Sequence, residues 1–347
     1  MTTKKLVLIL VGVALVAFGV GLLSLNRYGF NIYDRQGINI AFDGIDIRDG
    51  NSAVNIGPGG IHIVDGDEQV KVGFKGIWGK NTKNLIKKDI DEEKLEDIKG
   101  IKNIDIETPF IDINIIPEKR EDVKIHYNGY VESSYIPKLE TNKSNNTLYI
   151  VAKKGNSNSY SVYNSNLKLD IYVPMDFKYN IRTITSSGDI KISKLELMDL
   201  DLTASSGDIQ VYDMNLDNLS IETSSGEQEL KNIKSQNSSF LTSSGDIEIY
   251  NFTGDINITT SSGDIHLDYK TFNNNVGITA SSGDVKVILP SNSNFNLDAN
   301  TFSGEIESNF PVTITGKLKN NLSGKVGNGT NSINITTSSG DISINSK

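Results

Sequence analysis

The chain has 347 residues with 34 basic and 43 acidic side chains, a net charge of −9. That balance argues against nucleic acid as a partner, since phosphate recognition runs on basic surface. Cysteine is absent, which excludes disulfides, thiolate catalysis, iron–sulfur clusters, Cys-ligated zinc and a lipidated N-terminal cysteine. The three histidines, His62, His126 and His266, stand far apart in sequence, and no metal or cofactor site is expected.

Residues 6–25 form an uncharged stretch of 20, preceded by Lys4 and Lys5. At about 1.5 Å per residue a helix of that length spans a bilayer core. The lysines favour a cytoplasmic stub at 1–5, a single-pass anchor at 6–25 and an extracytoplasmic bulk. A cleaved signal peptide is the rival reading. The apolar run exceeds an ordinary signal core, and no small-residue cleavage site comes after it.

Residues 26–80 are Gly-rich and carry a short repeat. GIDIRDGNSAVNIGPG at 44–59 aligns with GIHIVDGDEQVKVGFK at 60–75, a period of 16. Alternating apolar residues between Asp-Gly pairs predict strands joined by tight turns. The acids at 65–68 lack the spacing of a calcium loop. Residues 81–100, NTKNLIKKDIDEEKLEDIKG, mix lysines and acids around Ile86, Ile90, Leu95 and Ile98, and are expected to form a charged helix or linker ending at Gly100. Over 101–180, alternation in IDINI and LKLDIYV predicts strands that form a β-rich entry and cap for the repeats beyond residue 180.

From 181 to 347 one phrase recurs. Ser-Ser-Gly-Asp begins at Ser186, Ser205, Ser243, Ser261, Ser281 and Ser338, with variants at Ser224 (SSGE), Ser303 (SGE) and Ser323 (SGK). The phrase glycines, Gly188, Gly207, Gly226, Gly245, Gly263, Gly283, Gly304, Gly324 and Gly340, are spaced 19, 19, 19, 18, 20, 21, 20 and 16 residues apart. A near-constant period of this size predicts an all-β parallel solenoid, each coil stacked on the last. Nine coils would make a rod of about 40 Å.

Within a repeat, apolar or small residues fall at −3 and −1 from the first Ser, and apolar residues at +4 and +6. The parity of the inward face therefore switches across Gly-Asp, and the chain must turn there. The expected structural corner comprises Gly188, Asp189, Gly207, Asp208, Gly226, Gly245, Asp246, Gly263, Asp264, Gly283, Asp284, Gly340 and Asp341, with glycine at the bend and acid outside. The Thr, Ala and Ser around the bend are expected to fill its interior. Each acid is expected to accept turn hydrogen bonds rather than to hold a metal. Ser, His and Asp show no nucleophile spacing, and a group repeated in every coil reads as structure, since a catalytic group is needed once. No recurrent aromatic stripe is expected. The final phrase, SSGDISINSK, is expected to leave an open edge able to pair with another chain, so that oligomers can form.

The segment LDIYVPMDFKYNIRTITSSGDIKI (169–192) and the repeats after it resemble the bacterial DUF4097 family, over about Leu95 to Lys347. The resemblance implies a repeat-strand, adhesin-like protein, often membrane-anchored and in some members tied to envelope-stress loci of Gram-positive bacteria. The expectation is thus a non-catalytic, membrane-anchored binding surface of the cell envelope. Its partners would be a cell-wall or surface glycan or a membrane protein. The alternatives are an accessory of envelope-stress signalling and a carbohydrate-active enzyme, for which the irregular stretch 290–329 is the one candidate cleft.

Overall fold

The computed structural model describes residues 38–41, 44–49, 52–57, 60–65, 68–72, 85–153, 162–318 and 320–347. The expected anchor at 6–25 and stub at 1–5 lie outside them. Among the described residues there is no helix, and so none long and apolar enough to cross a membrane. The chain divides into two units, 1–84 and 85–347.

In the first unit, strands β1 (Ile38–Ala41), β2 (Gly44–Asp49), β3 (Ser52–Gly57), β4 (Gly60–Asp65) and β5 (Glu68–Val72) make an antiparallel meander. Ile47 pairs with Val54, and Val54 with Ile63. The 16-residue period is therefore one hairpin, two strands per repeat.

The second unit opens with a difference from expectation. Residues 86–97 form no helix: they are strand β6 (Ile86–Asp97), antiparallel along its whole length to β9 (Asp122–Ser133). Only Ile90 of β6 is buried, and Lys94 pairs with Glu92 on the same strand and donates to the Leu139 carbonyl. A charged strand of this kind is a sheet margin, where lysines and acids discourage further pairing. Its composition imitates a solvated helix face.

Between them lie β7 (Asn103–Thr108) and β8 (Asp112–Glu118). Next come β10 (Lys138–Ser144), β11 (Thr147–Lys153), β12 (Val162–Ser165) and β13 (Lys168–Pro174). β7 pairs with β11, and β8 with β13, both in parallel. Alternation buries Ile104, Ile106, Ile113, Ile115, Ile171 and Val173, so these strands close the proximal end of the core.

The coils that carry the phrase begin with β14 (Asn180–Thr185), β15 (Ile190–Ser193) and β16 (Glu196–Ala204), stacked in parallel on β7 and β8. The long strands β17 (Ile209–Thr223), β18 (Gln228–Ser244) and β19 (Ile247–Ser262) come next, then β20 (Ile265–Tyr269), β21 (Val276–Ser282) and β22 (Val285–Leu289). Each coil stacks in parallel on its successor, as in Leu202↔Ile221↔Phe240↔Ile258↔Ile278. Those five residues are at most 2 % exposed, so one apolar row runs through the core. Burying an aliphatic side chain of this size contributes about 1.5–3 kcal/mol relative to leaving it in water. Towards the distal end the row thickens. Phe252, Tyr269, Phe272, Phe295 and Phe310 meet edge to face in sequence, with centroids 5.0–6.1 Å apart.

The last strands depart from simple succession. They are β23 (Phe295–Ser303), β24 (Ile306–Ser308), β25 (Thr313–Leu318), β26 (Asn321–Val326), β27 (Asn331–Ser339) and β28 (Ile342–Ser346). β27 pairs in parallel with β21 on one side and β23 on the other; β28 does the same with β22 and β24. The coil of Ser338 thus sits between those of Ser281 and Ser303, and the open edge expected at SSGDISINSK is paired on both sides. β26 lies antiparallel to β23 on its far face, with β25 beyond it. Ser323 and Gly324 belong to that antiparallel strand, so SGK is not a corner.

Candidate functional site

The phrase glycines form one column. A Cβ added at Gly188, Gly207 or Gly226 would lie 1.9 Å from the carbonyl oxygen of the corner beneath, and at Gly245, Gly263, Gly283, Gly304 or Gly340 between 2.1 and 2.4 Å from it. Two reasons for glycine coexist. Gly245, Gly263, Gly283 and Gly340 have φ between +127° and +141°, whereas at the others close backbone approach alone requires it. Gly188 rests on the Ile111 carbonyl, so Pro109–Asp112 is a first corner that lacks the phrase altogether.

The acids form a second column. The amide of Asp189 donates to Asp112 Oδ1 (3.1 Å), that of Asp208 to Asp189 (2.9 Å) and that of Glu227 to Asp208 (3.0 Å). Farther along, Asp264 donates to Asp246, Asp284 to Asp264, Asp341 to Asp284 and Glu305 to Asp341, each at 2.8 Å. An ionised acceptor roughly doubles the strength of such a bond, and each carboxylate thereby fixes the register of the next coil. Thr185, Thr223, Thr242 and Ala204 fill the inside of the bend, while both serines of each phrase face outward, unlike the expectation that serine lines the corner. The first Ser keeps the alternation of the strand before it, and the switch falls between the two serines.

Two further polar ladders lie at the other bends. Lys194, Asp213, Asn232 and Asn251 take left-handed φ of 54–59°. Asn232 donates to Asp213 (2.7 Å), and Asn251 to Asn232 (3.0 Å). Asn218 donates to Asp199 (2.8 Å), and Asn237 to Asn218 (3.1 Å). Asn and Asp tolerate that φ, and their short side chains bond locally. All these groups satisfy one another and serve the stack.

Specialised chemistry appears instead on the face just past the corner. Inward residues there are Ile209/Val211, Gln228/Leu230, Ile247/Ile249 and Ile265/Leu267, so the residues between them point out. Position +5 presents Lys191, Gln210, Glu229, Glu248, His266 and Lys286; position +7 presents Tyr212, Lys231 and Tyr250. Lys231 lies between the two tyrosines, 5.8 Å from one ring centroid and 5.7 Å from the other. Tyr250 stacks on His266 with centroids 4.8 Å apart. Tyr212 donates its hydroxyl to Glu229, which also takes the Lys231 ammonium, and Tyr250 donates to Glu248 (3.2 Å).

The electrostatics come from these contacts. The Lys231 and Tyr212 hydrogen bonds hold the Glu229 carboxyl below the usual carboxylate range. Partial burial and the Glu229 carboxylate push the Tyr212 phenol up to about 12, and burial and Glu248 raise that of Tyr250. Burial and the Lys286 charge lower His266. A shallow depression beside the patch is lined by Asp208, Gln210, Glu227, Glu229, Asp246 and Glu248. The result is a cluster of three half-buried rings, with Lys231 over both tyrosines, Lys191 over Tyr212 and carboxylates alongside. It can stack on an apolar sugar or ring face and exchange hydrogen bonds with hydroxyls. The two tyrosines belong to the coils of Ser205 and Ser243 alone and make no recurrent stripe; reading position +7 down the coils is the signal that reveals them.

In the irregular stretch 290–329, Asp298 accepts from Asn300 and Ser323, while Glu305 donates its amide to the acid column. Among the described residues no group of three or more His, Cys, Asp or Glu is arranged to hold a metal.

Comparison with known proteins finds no match among curated proteins. Three solved structures of low identity are among those the chain matches. A cell adhesion protein candidate from Clostridium sporogenes shares 16 % identity at a TM-score of 0.29, covering 75 % of this chain and 100 % of its own. An adhesin candidate from Bacteroides fragilis shares 15 % at 0.44, with 74 % and 97 % covered. A lipid-binding candidate from Parabacteroides distasonis shares 17 % at 0.39, with 75 % and 96 % covered. The family model described as Toastrack DUF4097 matches residues 101–345, most of the chain, and the chain belongs to that family.

Proposed function

We propose that the chain is a non-catalytic binding protein of the bacterial envelope, held by an anchor at 6–25 and presenting its coils outside the membrane. The observation that carries the reading is the Tyr212–Lys231–Tyr250 row with His266 beside it. The row departs from the repeat, whose neighbouring coils put Ser193, Asp268 and Ile288 at position +7, and it sets three half-buried rings and a lysine on one face. The two tyrosines stand two coils apart, about 9–10 Å, a separation that suits alternate sugars of an extended glycan lying along the rod. Glu229 and Glu248 would accept sugar hydroxyls, and Lys231 an anionic substituent. A cell-wall or surface glycan is therefore the ligand class.

The test is sedimentation of the full-length detergent-solubilised protein with purified cell-wall polymer. Co-sedimentation lost in Tyr212→Ala/Tyr250→Ala, with thermal unfolding unchanged, supports the assignment. Equal co-sedimentation of that variant removes the row from binding. If cross-linking in intact cells recovers a membrane protein and no polymer, the signalling alternative takes its place.

A further inference from the structure

The cluster at Tyr212 has a counterpart nearer the proximal end. Lys124 of β9 stands over the ring of Tyr172 on β13, 4.3 Å from its centroid, and its ammonium lies 3.9 Å from Glu93 of β6. Ring, ammonium and carboxylate are the same three groups that Tyr212, Lys231 and Glu229 bring together. β6 adds an apolar member. Between residues 87 and 97 its one exposed apolar side chain is Leu95, 64 % exposed and paired directly with Lys124.

The two clusters share a face. Ile171, Ile115, Ile192, Val211, Leu230 and Ile249 are aligned from strand to strand and buried. The residue after each points outward, which gives the line Tyr172, Ile116, Ser193, Tyr212, Lys231, Tyr250. No acid interrupts that line. Because β8 and β15 separate the first two tyrosines, three strand intervals, about 14 Å, divide Tyr172 from Tyr212, and five, about 24 Å, divide it from Tyr250. A lysine over one tyrosine can serve packing alone. Here the same three groups are rebuilt from strands outside the phrase coils, at the same outward position, beside an apolar side chain left in solvent.

We infer that Tyr172, Lys124 and Leu95 form a second subsite for the same ligand, which is then a linear glycan bearing anionic groups and running along the rod across the strands. The inference rests on the glycan reading of the Tyr212 cluster. A short glycan occupies one cluster. A chain longer than about 24 Å meets both, and linked contacts bind more tightly than either alone.

The test titrates full-length detergent-solubilised protein into labelled, size-fractionated fragments of purified cell-wall polymer, read by fluorescence anisotropy. The native protein should bind fragments longer than about 24 Å roughly tenfold more tightly than fragments shorter than about 14 Å. Tyr172→Ala should weaken long-fragment binding about three- to tenfold, as should Lys124→Gln, which keeps a stem over the ring. Short-fragment binding, carried by the Tyr212 cluster, should change little in either variant. Thermal unfolding is followed in parallel, and if Tyr172→Ala is destabilised, Lys124→Gln decides. Long fragments held as tightly by the variants as by the native protein would overturn the second subsite and leave the first in place. A native protein that binds fragments of neither length would overturn the reading of the Tyr212 cluster, and the second subsite with it.

Discussion

Replacing Gly226 with alanine tests the account of the corner at a site where backbone conformation plays no part, because this glycine lacks positive φ. The new Cβ would sit 1.9 Å from the Gly207 carbonyl oxygen. Reaching ordinary contact requires the two coils to part by more than about 1 Å. Three hydrogen bonds cross that gap: Ser225 N to Ser205 O (3.1 Å), Ile209 N to Glu227 O (2.9 Å) and Glu227 N to Asp208 Oδ1 (3.0 Å). At roughly 0.5–1.5 kcal/mol net for each, the loss is about 2–4 kcal/mol. For a unit of this size that corresponds to a fall in melting temperature of roughly 5–15 °C. Far-UV circular dichroism of the full-length protein on heating measures it, with the exposed Ser225→Ala as a control that should move little. Gly245→Ala, where φ is +141°, should cost about 1–3 kcal/mol more from backbone strain. A shift below about 2 °C for Gly226→Ala would refute close approach as the reason for glycine.

Other outcomes rest on single contacts. Gln228 is buried where other coils place Ile or Val, and its Oε1 has no hydrogen-bond partner. Gln228→Ile should therefore raise stability by about 1–2 kcal/mol in denaturant titration, even though the bond to Thr223 Oγ1 is lost. Asp246→Asn keeps an acceptor for the Asp264 amide and removes one charge from the column. It should cost less than about 1 kcal/mol, whereas Asp246→Ala, which leaves the amide without this acceptor, should cost about 1–2 kcal/mol. Tyr212 should titrate near 12, so its contribution to stability falls as pH rises from about 10 to about 12. Ring-carbon NMR on labelled tyrosine should show that midpoint move back toward 10 in Glu229→Gln.

The period of the coil is legible in the chain because every turn of the solenoid meets the same steric demand, and glycine answers it at each. The order of stacking is not. Coils with interchangeable edges carry no address, so the sequence 281, 303, 338 does not disclose the spatial order 281, 338, 303. The corner at Pro109–Asp112 is hidden because it shares only its acid with the phrase. β6 reads as a helix because Ile90 is its one buried residue, too few to display a period of two. Tyr212, Lys231 and Tyr250 stand 19 residues apart. They become a surface only once the repeats are aligned and an outward column is read.

Two margins of the long sheet system, β6 and β24, differ in kind. β6 closes its margin with lysines and acids along 12 residues, while β24, paired only with β28, ends the opposite margin with three residues, Ile306–Ser308. Beside β24 lies a groove lined by Phe310, Val312, Ile314 and Leu322, and Phe302 stands 85 % exposed where seven other coils place the first Ser of the phrase. Of these two margins, β6 repels an added strand, whereas β24 leaves both backbone groups and apolar surface to receive one.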